Sequence, residues 1–295
     1  MFWEINMHFK KVKSLLSAGN NMNLYRGCTH GCIYCDSRSD CYQMDHDFED
    51  IEVKINAPEL LSEALGRKKR ACMIGTGAMC DPYMPCEKEL ELTRRCLEII
   101  KRYGFGVSVL TKSSLILRDK ELLAEINHGF KTVVNITITT ANDKLCRIVE
   151  PNVAVTSERF GVLKEFQALG VPTVVWLTPI LPFINDTAEN IREIVERCAD
   201  CGVKGIITFG AMGVTLRQGD REYFYKCLDL HFPGLKERYS KTYGLSYEVP
   251  SPNSKELLGV FKKLCGKYGI MSSTDEIMGY LRSADEVTGE QMSFF

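Results

Sequence analysis

Between residues 21 and 210 the chain alternates short β-branched runs with stretches whose apolar residues return every three or four positions. That order predicts repeated βα units around a parallel sheet. Six strands are predicted, over residues 22–26, 71–75, 105–111, 132–139, 171–178 and 203–209. The clearest helix, 87–103, carries Leu90, Cys96, Leu97, Ile100 and Tyr103 at helical spacing, so these five should face the sheet. After Gly213 the period becomes helical, over 220–231, 253–268 and 274–281, with Pro-, Gly- and Tyr-rich connections.

A complete eight-stranded barrel takes about 250 residues, more than these six units occupy. The fold class expected is therefore α/β, an incomplete (β/α)6 TIM-type barrel with a small, mainly helical C-terminal region. Its divisions are an N-terminal extension at 1–20, the barrel core at 21–215, the helical region at 216–282 and a flexible tail at 283–295. Chemistry in such parallel arrangements gathers at the C-terminal ends of the strands.

Composition narrows the class. The 295 residues are 45% hydrophobic, enough for a substantial core. No run approaches 18 uninterrupted apolar residues, and the first residues, MFWEINMHFKKVKS, lack a secretory h-region, so a cytoplasmic protein is expected. Thirteen cysteines, an odd number, argue against a closed disulfide framework and for metal or thiol chemistry. A formal charge of -1 excludes a strongly basic protein that coats duplex nucleic acid, leaving only a local basic face open.

The segment YRGCTHGCIYCD follows the first predicted strand and places Cys28, Cys32 and Cys35 as C-x3-C-x2-C. A structural zinc site needs four ligands, and only three thiols stand here, although His30 or Cys41 could serve as a fourth. Three thiolates on three irons of a cubane leave the fourth iron free for a ligand. The spacing favours the cluster and leaves zinc open.

With Tyr34 before its last cysteine, this loop resembles that of the radical S-adenosylmethionine (SAM) superfamily, and the likeness extends over most of the chain. It implies a 4Fe–4S cluster whose open iron is chelated by the methionyl amine and carboxylate. Reductive cleavage of the sulfonium then gives a 5'-deoxyadenosyl radical that abstracts hydrogen from a substrate. Tyr34, Gly75, Gly77, Lys112, Thr137 and Thr139 are the implied cofactor contacts. The glycines would admit close backbone approach, Lys112 would meet the methionyl carboxylate, and the two threonines would offer hydroxyls from one strand face. Read singly, each is also an ordinary turn glycine, a solvated lysine or a threonine of β propensity.

Four segments, TGAMCDPY, VLTKSS, ITITTAND and IVEPNVAVTSERF, further resemble the spore photoproduct lyase family in order and spacing, with Glu150, Pro151 and Arg159 on its Glu-Pro and Arg positions. In that family a cysteine after the second strand returns a hydrogen atom to the product radical, and Cys80 occupies the matching place. The weak S–H bond and polarizable sulfur of a thiol suit the role. Two features depart: Asp36 stands where the lyase has a tyrosine, and its C-terminal basic and aromatic hairpin has no clear counterpart. The implied function is radical chemistry on a nucleic-acid base, a thymine lesion or crosslink in DNA, fed by a reducing partner of flavodoxin or ferredoxin type. Rival readings keep the chemistry on RNA, a nucleoside or a peptide, or make the chain a non-catalytic Fe–S or zinc tethering module.

Other features bear on partners. Between residues 226 and 268 eight Lys/Arg face four Asp/Glu, interleaved with Tyr239, Tyr243, Tyr247 and Phe261, a composition that meets phosphates and stacks bases as readily as it forms a solvated face. A basic run, GRKKR at 66–70, ends a helix, where cations are favoured anyway. Cys198 and Cys201 read as core packing. The last residues, Gln291 to Phe295, resemble the peptides that dock repair proteins on a sliding clamp.

Overall fold

The computed structural model describes residues 6–209 and 212–283; the clamp-like residues 291–295 lie outside the described residues. The chain opens with β1 (Met7–Lys10), β2 (Asn21–Met22) and β3 (Tyr25–Arg26), then runs through the cysteine loop to β4 (Ile51–Lys54). The first predicted strand is therefore two. Met22, Leu24 and Tyr25 are all buried, which breaks the two-residue alternation of one continuous strand. The Leu24 carbonyl accepts from Lys54 N at 3.1 Å, and β3 turns away to pair antiparallel with β4. A small outer sheet, β1-β4-β3, results.

Regular units follow: α1 (Ala57–Gly66), β5 (Met73–Thr76), α2 (Glu87–Leu90), α3 (Leu92–Tyr103), β6 (Gly106–Thr111), α4 (Lys120–Gly129), β7 (Thr132–Thr137), α5 (Asp143–Val149), α6 (Thr156–Ala168), β8 (Thr173–Trp176), α7 (Ala188–Asp200) and β9 (Gly205–Ile207). Strands β2-β5-β6-β7-β8-β9 form one parallel sheet in chain order, the partial barrel expected. All six residues of the central β7 are buried, because helices cover one face and the barrel interior the other.

The predicted helix at 87–103 is broken at Glu91, which takes a left-handed φ of 47°. The cause is tertiary. Glu87 is fully buried, its carboxylate accepts from Thr93 N at 2.9 Å to cap α3, and Arg118 donates to its carbonyl at 2.7 Å. Cys96, Leu97 and Ile100 face inward as expected and Leu90 is half-buried, but Tyr103 is exposed and bonds Ser62 on α1.

Beyond the barrel come β10 (Gly213–Thr215), α8 (Asp220–His231), α9 (Leu235–Tyr243), β11 (Glu248–Pro250), α10 (Ser254–Tyr268) and α11 (Thr274–Arg282). Sequence reasoning missed α9, whose anchor is the buried Tyr239 with its hydroxyl on the Pro182 carbonyl at 2.7 Å. It also missed the antiparallel ribbon β10–β11. The open edge of the sheet at β9 is covered by a bridge from Met271 and by α11. Among the described residues no helix is long and apolar enough to cross a membrane.

Glu91 is exposed and its left-handed backbone costs a non-glycine residue about 1–2 kcal/mol, against the entropy a glycine adds to the unfolded chain. Glu91→Gly should therefore stabilise by about 0.5–1 kcal/mol in chemical denaturation; a destabilised variant would contradict the strain.

Candidate active site

The cysteine loop leaves β3 through Gly27, whose φ of 88° brings the backbone so near the Phe48 carbonyl that a Cβ would lie 2.6 Å from its oxygen. Cys28 N donates to that same carbonyl at 2.9 Å. The far side of the loop is sewn to the turn after α5: Ile33 N donates to the Val149 carbonyl at 3.0 Å, Asn152 N to the His30 carbonyl at 3.1 Å, and Asn152 Nδ2 to the Thr29 carbonyl at 2.9 Å. Cys28, Cys32 and Cys35 thereby open together on a cavity of about 600 Å³ at the C-terminal ends of the strands.

Beneath the loop lies a buried charge pair. The Tyr34 hydroxyl donates to Glu150 Oε1, and Glu150 Oε2 pairs with Arg159 Nη2 at 2.7 Å. Arg159 also donates to the carbonyls of Ala154 (2.7 Å) and Thr137 (2.9 Å). Burial alone would raise the Glu150 carboxyl, but the charges of Arg159 and Lys112 and the bonds from Tyr34 and Arg159 hold it below the usual carboxylate range. Glu150 and Arg159 thus act as a clamp under the loop.

Within the cavity wall the loop after β5 contributes Gly77, Ala78, Met79, Cys80 and Asp81. Gly77 must be glycine: at φ 96° a Cβ would sit 2.0 Å from the Leu110 carbonyl oxygen. Cys80 donates its thiol hydrogen to the Tyr25 carbonyl at 3.0 Å, and burial pushes its pKa up to about 12, so it stays protonated. Asp81, to which no role was assigned from sequence, is a hub. Its Oδ1 accepts from Thr111 Oγ1 (2.6 Å) and Tyr83 N (2.9 Å), its Oδ2 from Lys112 N (2.8 Å), and His30 Nδ1 lies 3.5 Å away.

Lys112 and Thr137 also line the cavity. Burial would lower the Lys112 ammonium, yet Cys32 and Glu150 raise it above its ordinary value. Among the described residues no carboxylate lies within salt-bridge distance of it. Two expected contacts are elsewhere. Gly75 faces Asn21, where a Cβ would lie 2.0 Å from Oδ1, and it does not line the cavity wall. Thr139 lies two residues past the end of β7, where strand alternation no longer applies; it is buried outside the cavity wall, its carbonyl accepts from Asn185 and Asn190, and its hydroxyl has no partner among the described residues.

The mouth is framed by Trp176 and Phe209, 5.4 Å apart by ring centroids, and by the ribbon β10–β11. Asp36 accepts from Tyr42 Oη at 2.7 Å and pairs with Arg217 Nε at 3.3 Å, while Arg217 donates to Tyr247 Oη at 2.8 Å. Of the four aromatic residues singled out between 226 and 268, only Tyr247 borders the cavity; Tyr239 and Phe261 are core, and Tyr243 bonds the Pro250 carbonyl.

The donor set fits a cubane. Burial and mutual repulsion push the Cys28 thiol well up, and burial carries Cys32 to about 12, so a multiply charged centre is what would ionise them together. Among the described residues the three thiols do not form a set tight enough to share one ion, in keeping with ligands spread over several irons.

Comparison with known proteins agrees. The profile of the radical SAM superfamily matches residues 22–198. An uncharacterized protein of Mycobacterium tuberculosis is 29% identical over 243 residues, 80% of this chain and 70% of that one. In fold the chain is similar to a variant of spore photoproduct lyase, with a TM-score of 0.65 at 15% identity over 90% of this chain and 81% of that one. A second lyase variant, solved with bound AdoMet and dinucleoside spore photoproduct, gives 0.60 at 15% identity over 85% and 74%. The chain belongs to the radical SAM superfamily, whose cofactors are a 4Fe–4S cluster and S-adenosylmethionine.

Proposed function

We propose that this chain is a lyase-like radical SAM enzyme acting on a nucleic-acid base, with a thymine lesion or crosslink in DNA as the substrate. The observation that carries the reading is that Cys80 lines the same cavity as Cys28, Cys32 and Cys35. Cys28, Cys32 and Cys35 would hold the cluster, and once bound the cofactors supply a 5'-deoxyadenosyl radical. Lys112, which has no carboxylate within salt-bridge distance among the described residues, would receive the methionyl carboxylate, Gly77 would let the backbone approach the amine, and Thr137 would offer a hydroxyl.

Cys80 then has a defined task. Its S–H bond breaks and a C–H bond forms on the product radical, leaving a thiyl on sulfur. The thiol would be restored by one electron and one proton from the flavodoxin- or ferredoxin-type reducing partner. A thiol held protonated and walled from bulk water is suited to this. Support for a base as substrate comes from the mouth, where exposed faces of Phe209 and Tyr247 offer stacking surfaces beside the Arg217 guanidinium. A base leaves its stack for a few kcal/mol, least when damaged. The similar lyase structure that holds a dinucleoside lesion supports the same substrate class.

Anaerobic reconstitution should load about four irons per chain and give reductant-dependent 5'-deoxyadenosine; tightly held zinc with no SAM cleavage would defeat the enzyme reading. On thymine-lesion oligonucleotides, with matched RNA as control, the enzyme should convert only the DNA. Cys80→Ala should leave SAM cleavage intact while the product spectrum becomes mixed, and an unchanged spectrum would remove its role. Arg159→Met strands a buried carboxylate beneath the cluster loop and should cost about 3–5 kcal/mol of stability, measured by denaturant unfolding; a loss below 1 kcal/mol would show the pair is dispensable.

A further inference from the structure

The outer sheet carries a second convergence of metal-binding side chains. His8 on β1 and Glu52 on β4 are direct partners in the parallel pair, so both emerge on one face. His46, from the segment leading into β4, meets the His8 ring edge-on with centroids 4.8 Å apart. One ligand atom from each of the three lies within 4.8 Å of the others, and His8 Nε2 is 3.9 Å from Glu52 Oε2.

The hydrogen bonds behind these groups prepare them to accept a cation. His46 Nδ1 lies 3.0 Å from the Asp47 carbonyl oxygen, which can only accept, so the proton sits on Nδ1 and Nε2 presents its lone pair. That Nε2 is shielded from solvent and has no hydrogen-bond partner among the described residues. His8 repeats the arrangement, its Nδ1 3.1 Å from Asp50 Oδ2. Two imidazoles, each steadied at its far nitrogen and turned toward a carboxylate, reproduce the outer-sphere pattern of metal-bound histidines. Glu52 is 3% exposed, and its present counter-ion is Lys10 Nζ at 2.7 Å, on a half-exposed side chain free to swing out.

We propose that His8, His46 and Glu52 bind one divalent cation of the zinc type, with water in the fourth position. Two nitrogens and one oxygen suit Zn²⁺ and not the all-oxygen preference of Ca²⁺ or Mg²⁺. Ligands at about 2 Å from the ion require the three groups to draw together slightly, with Lys10 displaced. The ion would brace the segment leading into β4, whose Phe48 carbonyl receives the Cys28 N–H. Its role is to stiffen the seat of the cluster loop, and it takes no part in the radical chemistry.

The test uses the full chain with its cluster loaded, dialysed anaerobically against buffered free Zn²⁺, with zinc and iron counted per chain. About one zinc should bind with no loss of iron. His46→Gln and His8→Gln should each weaken zinc by at least about ten-fold, as should Asp50→Asn through its hold on His8. Lys10→Met removes the competing ammonium and should tighten binding. Zinc taken up only as iron is lost, or retained by the double His8→Gln/His46→Gln variant, overturns the site. If the histidine variants fail to hold their iron and fold, Lys10→Met decides alone, and unchanged or weaker zinc affinity in it overturns the site equally.

Discussion

The Glu150–Arg159 pair is the interaction on which the site's geometry depends. Two charges removed from water are costly unless each finds further partners, and here both do. Glu150 holds the Tyr34 hydroxyl of the cysteine loop, while Arg159 fastens the end of β7 and the turn before α6. The cysteine loop, the end of β7 and the stretch from the end of α5 into α6 are thus tied through one ion pair, and parting its two members would leave an uncompensated buried charge.

Electrostatics in the cavity follow from the same arrangement. Lys112 brings a third charge near the pair and toward the cysteine thiols, and its charged state is favoured by Cys32 and Glu150 together. The cavity therefore combines buried thiols that resist ionisation with a cation that, among the described residues, has no carboxylate within salt-bridge distance.

Much of the fold was legible because alternating β-branched and amphipathic stretches record a parallel sheet directly, and the three cysteines sit too close in sequence to be incidental. What stayed hidden depended on partners far along the chain. The break at Glu91 exists because Glu87 is pulled inward to cap α3, which no local pattern announces. Gly75 and Gly77 look alike in sequence, yet one yields to Asn21 and the other to the Leu110 carbonyl. Leu235, Tyr239 and Tyr243, each four residues apart, did carry the signal of α9, masked by the flanking Pro and Gly. Burial then separates Tyr239 and Phe261, which are core, from Tyr247, which borders the cavity.

Asp81 has a consequence for how the cofactor sites communicate. Its carboxylate joins the loop after β5 to the end of β6, with His30 of the cysteine loop beside it. The wall that would grip the methionyl group and the loop that would grip iron are thus parts of one collar. Any coupling carried through that carboxylate would be reciprocal in affinity: whatever iron in the loop adds to the hold on the methionyl group, a bound methionyl group would add to the hold on iron.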